Sequence, residues 1–205
     1  MKEIQQHIET IQQELQDHPK DAGKLNELGV GYYLLGEYEQ SIAILKRAAA
    51  MDDKNHTIRF NLGNSYAEQH DMHRAKHHLM DAIELKPDYV PALNNLADIY
   101  EQTGDKKRAR ELFAYITQIE PENALGYFNL GNFYLRQNNT VKAGNQYQQA
   151  IALDPDFYEA FYTIGFILKH LNKYKEAIPY FEQCLSINPA FEAAKKDLET
   201  CKKEI

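Results

Sequence analysis

Residues 56–89 read HTIRFNLGNSYAEQHDMHRAKHHLMDAIELKPDY, and residues 124–157 read ALGYFNLGNFYLRQNNTVKAGNQYQQAIALDPDF. Set one above the other, they keep a Leu-Gly pair in register, as Leu62-Gly63 and Leu130-Gly131. The pair recurs at Leu28-Gly29, Leu96-Ala97 and Ile164-Gly165, at a constant spacing of 34 residues. Three residues after the small one stand Tyr32, Tyr66, Tyr100, Tyr134 and Leu168. Twelve after it stand Ser41, Ala75, Ala109, Ala143 and Ala177; sixteen after it stand Leu45, Leu79, Phe113, Tyr147 and Phe181. Nineteen after it stand Ala48, Ala82, Ile116, Ala150 and Cys184, and twenty-four after it Asp53, Pro87, Pro121, Pro155 and Pro189. Repeats of this length are stacked units, each burying its apolar face against the next.

Within a unit the columns fit two antiparallel helices, A and B. The small residue in A and the small residue in B let the two approach closely. A larger side chain there overpacks the contact, at about 1–3 kcal/mol. The A–B turn carries Gly36 or Gly104 in two units, and His70-Asp71, Asn138-Asn139 and Asn172 in the others. All are turn formers. The Pro ends helix B, because it cannot continue a helix interior. Where Asp53 replaces it, the polar run Asp52-Asp53-Lys54-Asn55 is predicted to do the same. Two residues conflict with this reading: Pro179 and Gly144 both fall inside a predicted helix B.

The pattern resembles the tetratricopeptide repeat (TPR) family over five contiguous units, 22–55, 56–89, 90–123, 124–157 and 158–191. The family's first-helix Trp is absent; Leu25, Arg59, Leu93, Tyr127 and Phe161 stand there, and Arg59 is predicted to snorkel its charge into water. The resemblance implies an all-α, right-handed α-solenoid forming a single domain over 1–205. Residues 2–17 carry Ile4, Ile8, Ile11 and Leu15 at helical spacing and are predicted to cap the first unit. Residues 192–205 place four Lys and four acids around Leu198, as expected of a solvating last helix.

The chain has 205 residues, 43% hydrophobic and 26% charged, with a formal charge of −7. This is a core-forming composition. The acidic balance argues against nucleic acid as a partner, because affinity there comes largely from neutralising phosphates. The longest strongly apolar run, Phe161 to Leu168, is far short of the ~20 residues that span a bilayer. Residues 1–7 do not read as a secretory signal. Two cysteines, Cys184 and Cys201, do not make a disulfide framework, so a cytoplasmic protein with free thiols is expected. Cys184 reads as inert packing and Cys201 as partly exposed. No cofactor motif appears.

The resemblance further implies that helix A of each unit lines a concave groove for a protein segment, with the second, fifth, sixth, ninth and twelfth residues of each unit facing inward. The sixth is Glu27, Asn61, Asn95, Asn129 and Thr163. An amide offers two donors and an acceptor, so it can bond both the N–H and the C=O of an extended peptide. Such a ladder resembles the asparagine track of the O-GlcNAc transferases. The ninth position adds Asn64, Asp98 and Asn132; the fifth adds Asn26, Phe60, Asn94, Phe128 and Tyr162. Amides would hold the main chain while Phe60, Phe128 and Tyr162 contact side chains. The inward charges lean acidic, with Glu27, Asp98, Glu101 and Glu159 against Lys169, so a neutral or basic segment is expected. The carboxylate clamp of chaperone adaptors needs cations, where this chain has Phe60, Asn64, Asn95, Leu125 and Asn129. A chaperone's acidic C-terminus is therefore not an expected ligand.

Two readings of function follow. One is a non-catalytic interaction module that binds a protein segment in the groove. The other is a scaffold that self-associates through its terminal helices or by stacking. An enzyme would need converging titratable groups, where this groove offers amides and aromatics. His70, His73, His77 and His78 cluster in unit two. His73 and His77, four apart, share a helix face and form a weak metal candidate beside the plainer reading of a solvated surface.

Overall fold

The computed structural model describes residues 2–205. Twelve helices, and no strand among the described residues, make an all-α solenoid of repeats. Helix α1 (Lys2–Asp17) is followed by five A helices: α2 (Ala22–Leu34), α4 (His56–Glu68), α6 (Val90–Gln102), α8 (Ala124–Arg136) and α10 (Tyr158–His170). They alternate with five B helices: α3 (Tyr38–Met51), α5 (Met72–Leu85), α7 (Lys106–Ile119), α9 (Thr140–Leu153) and α11 (Tyr174–Ile187). Helix α12 (Glu192–Lys203) ends the series. The chain forms two compact units, Met1–Leu112 and Phe113–Ile205, whose boundary lies within α7.

The A–B turns share one geometry. Gly36, His70, Gly104, Asn138 and Asn172 all have positive φ, from 57° to 88°. The following N–H reaches back five residues in every repeat, from Glu37 to Tyr32 O, Asp71 to Tyr66 O, Asp105 to Tyr100 O, Asn139 to Tyr134 O and Lys173 to Leu168 O, at 2.8–3.0 Å. This is the Schellman closure, which a left-handed residue permits. In three repeats the next side chain then caps helix B: Asp71 accepts from Arg74 N, Asp105 from Arg108 N and Asn139 from Lys142 N. Helix B stops two residues before each of Pro87, Pro121, Pro155 and Pro189, and α3 stops two residues before Asp53 in the same register. Pro179 is the sixth residue of α11 and is exposed, so its missing N–H removes one backbone bond just past the first turn.

The repeat columns are the core. Leu45, Leu79, Phe113, Tyr147 and Phe181 are buried, as are Ala48, Ala82, Ile116, Ala150 and Cys184. The glycines allow the close approach: a Cβ on Gly29 would lie 2.5 Å from Leu45 Cγ, and one on Gly131 2.6 Å from Tyr147 Cε1. In the first unit α1 packs on α2, with Ile8 and Ile11 buried beside Leu28. In the second, α12 packs on α10 and α11 and buries Ala194, Asp197 and Cys201. Cys201 is thus fully buried rather than partly exposed. Burial pushes the Cys184 thiol up to about 11 and raises that of Cys201.

Candidate functional site

In the first unit, α2 lies against α4 and α4 against α6, so the A helices form a continuous row. Asn26 on α2, Asn61 and Asn64 on α4, and Asn94 and Asn95 on α6 are all half-buried. The amides pair across helices. Asn61 Nδ2 donates to Asn26 Oδ1 at 2.9 Å, and Asn95 Nδ2 donates to Asn64 Oδ1 at 2.7 Å. Beside the second pair is a polar cavity of about 310 Å³ lined by Tyr33, Asn64, Glu68, Asn95, Asp98 and Gln102. The Tyr33 hydroxyl lies 3.5 Å from Glu68 Oε1, and burial together with that carboxylate raises its pKa. Tyr33 is a site residue that sequence reasoning missed; it is the twelfth residue of its unit, a position already marked as inward-facing.

The fifth-position aromatics take part in packing. Phe60 meets the Tyr89 ring edge-on at 5.3 Å. In the second unit Phe128 contacts Tyr147 and Phe157 at 5.5 and 4.9 Å. Tyr162 contacts Phe181 and Phe191, and its hydroxyl donates to Asp197 Oδ2 at 3.3 Å. Asn132 Oδ1 accepts from the Tyr147 hydroxyl at 2.8 Å, giving that buried group its partner. Asn129 is half-buried on α8. Lys169, counted as an inward cation, forms an ion pair with Asp197 Oδ1 at 2.6 Å. Asp197 gives no sequence signal, since it sits in a charged run that reads as solvated.

Two expectations about the second repeat are corrected. Arg59 does not simply snorkel: its Nη1 lies 3.6 Å from Asp81 Oδ2 and its Nη2 donates to Asp53 O at 3.4 Å. The histidine grouping is also different. His77 and His78, not His73, converge with Asp81, and their Nδ1 atoms lie 3.3 and 3.6 Å from Asp81 Oδ2. Burial holds the His78 imidazole below its ordinary pKa, against the pull of the Asp81 carboxylate.

Tetratricopeptide repeat profiles match residues 29–69, 66–125, 124–157 and 158–200, continuous over 29–200. The chain belongs to the tetratricopeptide repeat family. Solved TPR structures share its fold. A chain of the APC/C hetero-tetramer Cut9–Hcn1 is 18% identical with a TM-score of 0.71, over 97% of this chain and 39% of that one. This TPR chain therefore spans well under half the length of that relative. YrrB, described as a TPR protein with an unusual peptide-binding site, is 17% identical with a TM-score of 0.63, over 92% and 97% of the two chains. MamA from Desulfovibrio magneticus RS-1 is 19% identical with a TM-score of 0.68, over 83% and 96%. At these identities the likeness is one of fold. Comparison with curated protein sequences gives no match. TPR folds serve generally as protein-interaction or scaffold modules, and this chain is one of them by fold. Among the described residues no helix is long and apolar enough to cross a membrane.

Proposed function

We propose that this TPR chain binds an extended protein segment along its A helices, with amide pairs holding the segment's main chain. The observation that carries the reading is the pairing itself, Asn26 with Asn61 and Asn64 with Asn95. Each bond uses one of two Nδ2 hydrogens on the donor and one lone pair on the acceptor. Every amide keeps further capacity, and its orientation is already fixed. A preoriented amide loses less entropy when a ligand arrives. In the second unit Asn129 holds the same repeat position as Asn61 and Asn95. Flanking contacts come from Asn94 and Phe60 in the first unit and, separately, from Phe128, Asn132 and Tyr162 in the second. Glu68 and Asp98 on the polar cavity favour a basic side chain in the segment, mainly through encounter and selection.

The test is selection of a random peptide display library on the wild-type chain and on Asn61→Ala/Asn95→Ala/Asn129→Ala, with helicity of both checked by circular dichroism. Expected are peptides enriched in Lys or Arg on the wild type and lost on the folded variant. Enrichment that survives the substitutions refutes the amide reading. No enrichment, with a concentration-dependent mass in light scattering, would favour a self-associating scaffold.

A further inference from the structure

The middle of α5 brings three metal-ligating side chains together. His77 and His78 are neighbours, and Asp81 lies one turn on from His77. His77 Nδ1 is 3.3 Å from Asp81 Oδ2, and His78 Nδ1 is 3.6 Å from the same oxygen. All three ligand atoms lie within 4.8 Å of one another. A tetrahedral Zn²⁺ with bonds of about 2.0–2.2 Å sets its ligand atoms roughly 3.3–3.6 Å apart. Both His–Asp81 spacings match that range, and the two imidazoles lie within 4.8 Å of each other.

A second observation singles out the site. His78 Nδ1 is the buried side-chain nitrogen or oxygen that lacks a hydrogen-bond partner among the described residues. Its ring stacks parallel on Tyr66, with centroids 5.4 Å apart and 5° between planes. The stacking holds the plane of the ring, and its unsatisfied Nδ1 lies 3.6 Å from Asp81 Oδ2. A buried polar atom without a partner is costly, and a metal bond would satisfy it.

We propose that His77 Nδ1, His78 Nδ1 and Asp81 Oδ2 form a binding site for a divalent transition-metal ion, Zn²⁺ or Ni²⁺. Two imidazoles and one carboxylate select these ions over Mg²⁺ and Ca²⁺, which prefer oxygen donors. Three protein ligands leave a fourth position for water. Arg59 competes with the ion: its guanidinium lies 3.6 Å from the same Asp81 oxygen. On metal binding that oxygen passes to the ion, and Arg59 is left with Asp81 Oδ1 and the Asp53 carbonyl. The other repeats place Leu25, Leu93, Tyr127 or Phe161 in the Arg59 column, so Arg59→Leu is compatible with the fold and removes the competing charge.

Isothermal titration of the tag-free chain with zinc chloride, repeated on variants, tests the site. Expected are one equivalent bound by the wild type and affinity at least about tenfold weaker in His77→Ala and in Asp81→Asn. His73→Ala should bind as the wild type does, and Arg59→Leu should bind more tightly. His77 is exposed, so its truncation leaves the fold intact even if replacing the stacked His78 does not. Zinc binding unchanged in His77→Ala, lost equally in His73→Ala, or absent from the wild type would overturn the proposal.

Discussion

Two glycines of the second unit should respond to alanine with opposite signs. A Cβ on Gly131 would lie 2.6, 2.8 and 3.1 Å from Cε1, Cδ1 and Cζ of Tyr147. Carbons pack best at about 3.5–4.0 Å, so the ring would have to retreat by close to 1 Å. It has nowhere to go: Tyr147 is fully buried, lies against Phe128, and its hydroxyl is held by Asn132. Overpacking of this kind costs about 1–3 kcal/mol, from which a gain of about 1 kcal/mol in helix propensity is subtracted. Gly131→Ala should therefore destabilise by up to about 2 kcal/mol. At Gly144, inside α9, an added Cβ meets nothing within 4 Å. Only the propensity gain remains, and Gly144→Ala should stabilise by up to about 1 kcal/mol. Urea unfolding followed by far-ultraviolet circular dichroism reads both variants, compared at a common m-value. A Gly131→Ala midpoint above the wild type would refute the close-approach argument for the whole small-residue column. A Gly144→Ala midpoint below the wild type would mean that the open space there is in use.

Three further outcomes are expected. His70 carries a left-handed φ of 59° where two other repeats use Gly, and it is exposed; His70→Gly should raise stability by about 0.5–1 kcal/mol in the same urea assay. Asp197→Ala should destabilise by about 1–3 kcal/mol, because it leaves the largely buried Lys169 side chain without its carboxylate partner; a thermal midpoint equal to the wild type would place that ion pair among the inert ones. The Asp71 carboxyl is held below the ordinary carboxylate range by the Arg74 backbone N–H and then by its side chain. Its stabilising effect is complete above the unfolded-state pKa and is lost as pH falls through the lower folded one. Asp71→Asn keeps a capping oxygen but does not titrate, so its acid-side loss of stability should be shallower.

The architecture was readable because each column answers to one physical demand. The left-handed turn residue demands Gly, Asn or a tolerant His, and positions 36, 70, 104, 138 and 172 supply them. The buried columns demand apolar or small residues at a fixed period, which fixed both the helix bounds and the core. Polar contacts between repeats follow another rule. Asn61 meets Asn26 at a separation of 35, Asn95 meets Asn64 at 31, and Lys169 meets Asp197 at 28. None of these is the repeat period. They are diagonals set by how neighbouring helices cross, so aligned columns did not show which side chains touch. His73 and His77 illustrate the same limit: helical spacing placed them on one face, whereas burial of His78 against Tyr66 and the reach of Asp81 decided which imidazoles converge.

The amide pairs bring the fold little, and that separates a folding role from a binding role. Asn is worse in a helix interior than Ala by up to about 0.7 kcal/mol, so Asn26 and Asn61 together cost up to about 1.4 kcal/mol. The hydrogen bond between them, half-buried, returns about 0.5–1.5 kcal/mol. The balance is near zero, and two alanines would serve the solenoid equally well. Asn26→Ala/Asn61→Ala should thus keep wild-type helicity and a urea midpoint within about 0.5 kcal/mol of wild type, while peptides selected on the wild-type chain bind it more weakly. The same calculation applies to Asn64 and Asn95, whose bond is 2.7 Å long. If the double variant loses 2 kcal/mol or more, above the roughly 1.5 kcal/mol that a net hydrogen bond supplies, the pair is a structural clasp between α2 and α4. The amides would then be explained by folding alone, and the peptide-binding reading would lose the observation on which it rests.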